Sequence, residues 1–120
     1  MGGGLEDLNL YQNSLRIADM AWSVYVDLKK VCPTIAHQFI KSADSIGANI
    51  AEGYGRGSYK DRKNFLIISR GSLYETIFWR QLLIQRKLID HSQAGLLDDL
   101  LKTQSLLTTG YLNYLKSKIP

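Results

Sequence analysis

The chain is short of the residues that build most recognisable sites. Its single cysteine, Cys32, excludes an internal disulfide framework and fits a reducing compartment, so the cytoplasm is the expected location. Because Cys32 precedes a proline at a helix boundary, it reads as a packed thiol rather than a nucleophile. The two histidines, His37 and His91, lie far apart, with no cysteine or glutamate at metal-ligand spacing, so neither a metal nor another cofactor is expected. A Glu-x-x-His pair, the mark of di-iron bundles, is also missing. Apolar runs such as Phe65-Leu66-Ile67-Ile68 are far shorter than the roughly 18 residues of a membrane span, and no membrane association is expected. The start, Met1 to Asp7, lacks the basic and apolar regions of a secretory signal, and residues 1–4 read as a flexible, glycine-rich beginning.

Only two prolines, Pro33 and Pro120, interrupt the chain, which leaves room for long helices. Residues 6–31 keep helical period twice over. Leu8, Tyr11, Leu15, Ala18, Trp22 and Tyr25 form a seam at alternating three and four spacing, while Ile17, Ala21, Val24, Leu28 and Val31 form a second stripe around the helix. One bundle core would not use both faces, so the outer one is expected to be buried against a copy of the chain. Cys32-Pro33 ends this helix, and a second runs from about Thr34 to Tyr54 with a core stripe of Ile35, Phe39, Ala43, Ile46 and Ile50. Gln38, Ser42, Ser45, Asn49, Glu52 and Arg56 gather on another side of it.

Ser58-Tyr59-Lys60-Asp61 has the form of a capping box and opens a third helix to about Ile89. That helix is apolar almost all round, from Phe65 to Ile84, and is expected to be central. Asp90 to Gln93 caps a fourth, with Leu97, Leu100, Gln104, Leu107, Tyr111 and Tyr114 as its seam. Four helices, each about 30 to 40 Å long and joined by short connections, predict an all-α, antiparallel up-down-up-down bundle forming a single domain over residues 1–120. The expected interface with a copy comprises Trp22, Val24 and Leu28 of the first helix with Phe78 and Trp79 of the third.

The most informative stretch is Ser45-Ile46-Gly47-Ala48-Asn49-Ile50-Ala51-Glu52-Gly53-Tyr54-Gly55-Arg56-Gly57-Ser58. Ala43, Gly47 and Ala51 share a face that lets another backbone approach, and Gly53, Gly55 and Gly57 allow the positive φ that stops the helix. No Gly-Lys-Ser/Thr follows and no strand precedes, so this is neither a P-loop nor a dinucleotide fingerprint, and the chain does not read as an enzyme. Residues 33–89 hold nine Lys/Arg against four acids, whereas the remainder holds six against seven, so the net charge of +4 belongs to the central hairpin. Arg56, Lys60, Arg62 and Lys63, with the Ser58 hydroxyl and a helix N-terminus, could hold a phosphate. A capped turn with a solvated basic rim is the alternative. Tyr54 and Tyr59 interleave with these cations, as rings that stack on unpaired bases do, or as rings that pack over a helix end do.

That run, with Phe65-Leu66 and then Arg70-Gly71-Ser72-Leu73-Tyr74-Glu75, resembles the bacterial four-helix-bundle family named after proteins encoded in 23S rRNA intervening sequences. The motif positions in this sequence are Asn49, Glu52, Gly53, Tyr54, Arg56, Ser58, Arg70, Ser72 and Glu75. The resemblance implies a homopentameric barrel. Through a related branch, the accessory proteins of diversity-generating retroelements, it also implies binding to a reverse transcriptase and to RNA or DNA, with Arg70 joining the basic hairpin. The connection at Val31 to Ala36 is shorter than that family's pattern, and Phe39-Ile40-Lys41-Ser42 stands where a basic pair is common. Arg70 and Glu75 sit five apart on one helix, a poor spacing for pairing with each other, and are expected to reach other helices or subunits. Two functions remain open: a non-catalytic adaptor with a basic surface for nucleic acid, and a scaffold whose partner is a polypeptide.

Overall fold

The computed structural model describes residues 3–120. A 3-10 turn at Leu5–Asp7 leads into α1 (Asn9–Leu28), α2 (Pro33–Arg56), α3 (Tyr59–Gln85) and α4 (His91–Ser117), with no strand among the described residues. Helix α1 packs against α2 and α4, and α3 packs against the same two, so the four form a square in chain order measuring 48 × 25 × 22 Å.

Local sequence sets each boundary. Pro33 occupies the first turn of α2, where its missing N–H costs nothing. Gly57, at φ 86°, closes α2 in the left-handed region that a side chain would resist. Gly53 and Gly55 remain helical, contrary to the expectation that all three glycines break the helix. The Ser58 hydroxyl accepts from the Asp61 amide at 3.0 Å and donates to the Asp61 carboxylate at 2.8 Å, which caps α3. Asp90 caps α4 by accepting from the Gln93 amide at 2.7 Å. Helix α3 ends at Gln85, four residues before the expected Ile89, because Lys87 takes a left-handed conformation at φ 56°. The amides of Lys87 and Leu88 then turn back to the carbonyls of Ile84 and Leu83, a Schellman ending built without glycine.

The core stripe of α2 is as expected, with Ile35, Phe39, Ala43, Ile46 and Ile50 all buried. On α1 the second stripe, apart from exposed Val31, takes the centre of the core, and Leu8, Tyr11 and Tyr25 of the expected seam pack at its edge. Ile17, Ala21, Val24 and Leu28, with Leu10, face the core, whereas Leu15 and Trp22 of the expected seam are about half exposed. Val24 and Leu28 are therefore withdrawn from the expected interface, because they are spent on the chain's own interior. Helix α3 is not central within the chain: Leu66, Leu73 and Leu83 are buried, while Ile67, Ile68, Tyr74, Phe78 and Ile84 stand outward. On α4, Leu97 and Gln104 are buried, but the seam drifts to Leu101, Thr108, Leu112 and Leu115 and leaves Tyr114 outside.

Close approach explains two glycines. A Cβ at Gly47 would lie 2.5 Å from the Ser14 hydroxyl, and one at Gly53 would lie 2.7 Å from the Phe65 Cβ and 3.2 Å from the Arg62 Cα. These positions let α1 and α3 press against α2. Polar groups also enter the interior. Ser42, expected on a polar face, is buried, its hydroxyl 2.9 Å from that of Thr76 and donating to the Phe39 carbonyl. The Asn13 amide bridges to the Leu100 carbonyl at 3.0 Å and to the Gln104 side-chain carbonyl at 2.9 Å, tying α1 to α4.

Candidate nucleic-acid interface

The turn between α2 and α3 lies at the same end of the bundle as the beginning of α1 and the C-terminus of α4, as alternating helix directions require. The residues of the basic hairpin meet different fates there. Arg56 is neutralised by Glu52, its Nε 3.0 Å from the carboxylate, and its guanidinium lies 5.1 Å from the Phe65 ring centroid. Arg62 is enclosed by aromatic rings, 4.3 Å from the Tyr54 centroid and 5.7 Å from that of Tyr59, with Nε buried and lacking a hydrogen-bond partner. It packs against the tyrosines over the helix end while remaining half-buried. Lys60 is exposed and Lys63 half-buried, and neither forms an ion pair among the described residues. Arg70 is also exposed and unpaired, but sits ten positions along α3 from Lys60, about 15 Å away at ~1.5 Å per residue.

Connectivity adds residues that the hairpin alone does not reveal. Tyr114 of α4 meets Tyr59 of α3 edge to face, with centroids 6.3 Å apart, and stacks on Tyr111 at 6.1 Å and 12°. Lys118 lies 5.5 Å from the Tyr114 centroid, and Lys116 is exposed in the last turn of α4. Burial raises the Tyr111 phenol above its ordinary value, with the nearby Arg62 charge opposing that shift. The Tyr114 phenol is raised first by hydrogen bonding with Tyr59, then by the repulsion a second phenolate would meet and by desolvation. Both rings therefore stay neutral through physiological pH.

The N-terminal glycines are drawn into the same end: the Tyr54 hydroxyl donates to the Gly3 carbonyl, and Gly4 caps the 3-10 turn. Of the expected flexible start, residues 1–4, Met1 and Gly2 lie outside the described residues. The turn also brings Glu6 and Asp7, so the end carries carboxylates as well as lysines.

The remaining motif residues have local work. Asn49 donates to the Ser45 carbonyl at 2.8 Å, the Ser72 carbonyl accepts from Thr76 at 2.8 Å, and Glu75 accepts from the Trp79 indole at 3.4 Å. Arg70 and Glu75 make no ion pair with another helix among the described residues. At the opposite end, a cleft of about 590 Å³ is lined by Arg80, Lys87, Asp90 and His91 with small and apolar residues around the α3–α4 turn. Arg80 is already committed there, 3.7 Å from Asp98 and donating to the Ala94 carbonyl at 2.9 Å. Lys102 lies 2.9 Å from the same Asp98 carboxylate, and its hydrogen bond holds that carboxyl below its ordinary range. His37 bonds to the Pro33 carbonyl and to Tyr25, and no cluster of metal-ligating side chains occurs among the described residues. No described helix is long and apolar enough to cross a membrane.

Comparison with known proteins agrees with the motif. The family model described as 23S rRNA-intervening sequence protein matches residues 6–110. A crystal structure of a protein of unknown function from the S23 ribosomal protein family of Bacteroides thetaiotaomicron superposes with a TM-score of 0.80 at 26% identity, covering 87% of this chain and 95% of that one. No curated protein matches the chain.

Proposed function

The chain belongs to the 23S rRNA-intervening sequence protein family, and on that premise we propose that it is a non-catalytic, self-assembling bundle whose basic, tyrosine-rich end binds nucleic acid. The observation that carries the binding reading is the convergence of Lys60, Lys63 and Tyr59 from α3 with Tyr114 and Lys116 from α4, and with Lys118 just past it, on one end of the bundle. Arg56, in a surface pair with Glu52, and Arg62, against the tyrosine rings, stand beside these lysines, and we give the lysines the main share of the phosphate contacts.

Self-assembly is supported by the apolar faces left outside. Trp22 is 55% exposed on α1 and Phe78 is 53% exposed on α3, helices at diagonal corners of the square. Unlike patches on different sides favour a head-to-tail contact, which closes into a ring when the rotation allows; a ring of five is the form we propose. In a cell such a ring would serve as an adaptor, presenting RNA or DNA to a nucleic-acid enzyme such as a reverse transcriptase. A polypeptide scaffold with no nucleic-acid role is the competing reading, favoured by the same apolar faces.

The double substitution Lys60→Gln/Lys63→Gln separates the two. Fluorescence anisotropy with a labelled single-stranded RNA about 20 nucleotides long should show weaker binding by the variant and a log-log salt slope shallower by about 1.4, two phosphate contacts at ~0.7 each. Unchanged affinity and slope would assign these lysines to solvent and favour the scaffold.

A further inference from the structure

We propose that Tyr59 and Tyr114 form a platform on which unpaired bases stack, so that the basic end takes single-stranded rather than duplex nucleic acid. This rests on the binding function proposed above and names its substrate class. Tyr59 is 40% and Tyr114 47% exposed, so part of each ring is open to a ligand. Their positions are fixed from behind. Tyr114 lies nearly parallel to half-buried Tyr111, and Tyr59 has the Arg62 guanidinium 5.7 Å from its centroid. Rings held in place lose little freedom when a base stacks on them.

Charge points the same way. Besides Arg62, the cations near the rings are lysines: Lys60, next to Tyr59 in sequence, and Lys118, the residue that follows α4, 5.5 Å from the Tyr114 centroid. Lysines are point charges that follow a flexible backbone without demanding the regular phosphate spacing of a duplex. Stacking on the rings supplies affinity without sequence choice. RNA and DNA single strands share the chemistry used here.

The test measures binding of a fluorescent oligouridine, the matching oligothymidine and a DNA duplex of equal length to the full chain. Tyr59→Ser and Tyr114→Ser should each weaken single-strand binding about tenfold, as loss of one base stack does, and leave duplex binding within twofold. Tyr59→Phe and Tyr114→Phe retain the ring and should bind single strands as the parent does. Oligouridine and oligothymidine should respond alike; loss confined to oligouridine would assign recognition to the ribose hydroxyl and overturn the platform. Equal binding by the serine variants, with helix content by circular dichroism unchanged, would also overturn it while leaving nucleic-acid binding in place. A parent that binds none of the three probes would instead remove the reading on which the platform rests.

Discussion

Gly71 is the residue whose replacement separates a finished monomer from a subunit. It lies on α3, on the outward face with Ile67, Tyr74 and Phe78, and a Cβ built there meets nothing within 4 Å. No contact inside the chain calls for glycine, and a helix-interior glycine costs about 1 kcal/mol relative to alanine. For an isolated bundle, Gly71→Ala should raise stability by that amount, about 4 °C in Tm for a domain of this size. If a second copy packs its helix against this face, the same methyl intrudes on a close contact. Overpacking costs ~1 to 3 kcal/mol, or about 5- to 150-fold in the dissociation constant of each contact. Sedimentation velocity from micromolar to sub-millimolar concentration reads the assembly, and thermal melting in the dilute, dissociated regime reads the chain alone. The expected pair of results is a higher melting temperature and weaker assembly. A variant that is more stable and assembles like the parent would show that no close contact is made at Gly71 and would refute the use of this face.

The two close-packed glycines, Gly53 and Gly47, should respond in the opposite direction from Gly71, and unequally. Gly53→Ala places its methyl against the Arg62 backbone and the Phe65 Cβ, which cannot rotate away, and should cost about 2 kcal/mol or more in urea unfolding; Gly47→Ala meets chiefly the Ser14 hydroxyl, which can turn, and should cost less. Lys87→Gly relieves the left-handed conformation at the end of α3 and should stabilise by about 1 kcal/mol in the same assay. Asn13→Ala strips the partner from the Gln104 carbonyl, whose fully buried Nε2 already lacks one, and should cost about 2 to 3 kcal/mol; adding Gln104→Met should recover part of that loss.

Helix number, order and most ends are legible in the sequence, because capping residues and proline act locally. Ser58 and Asp90 announce their helices by side-chain chemistry, and Pro33 opens α2 at the expected place. The end of α3 is not legible, since its left-handed residue is Lys87 where glycine would have signalled the stop. Which apolar stripe of α1 faces the core is hidden for a different reason. Both stripes have helical period, and small Ala21 beside Ile17 and Val24 fits against α2 and α4 more closely than the bulky Trp22 seam could. The basic hairpin was visible as a charge excess, but the packing of Arg62 against Tyr54 and Tyr59 depends on how the rings fold over the helix end. Tyr114 and Lys118 lie more than fifty positions from Tyr59, and only the antiparallel path of α4 brings them beside it.

The salt dependence of binding tests the central claim most directly. Four lysines, Lys60, Lys63, Lys116 and Lys118, contacting phosphates of a single strand give a log-log slope of roughly −3 for one subunit, and several subunits on one strand would steepen it. Anisotropy titrations of the parent chain against a labelled oligouridine, repeated across salt concentration, should give that slope or a steeper one. Saturable binding with a slope near zero, or no binding at low salt, would contradict a function built on the basic end of the bundle.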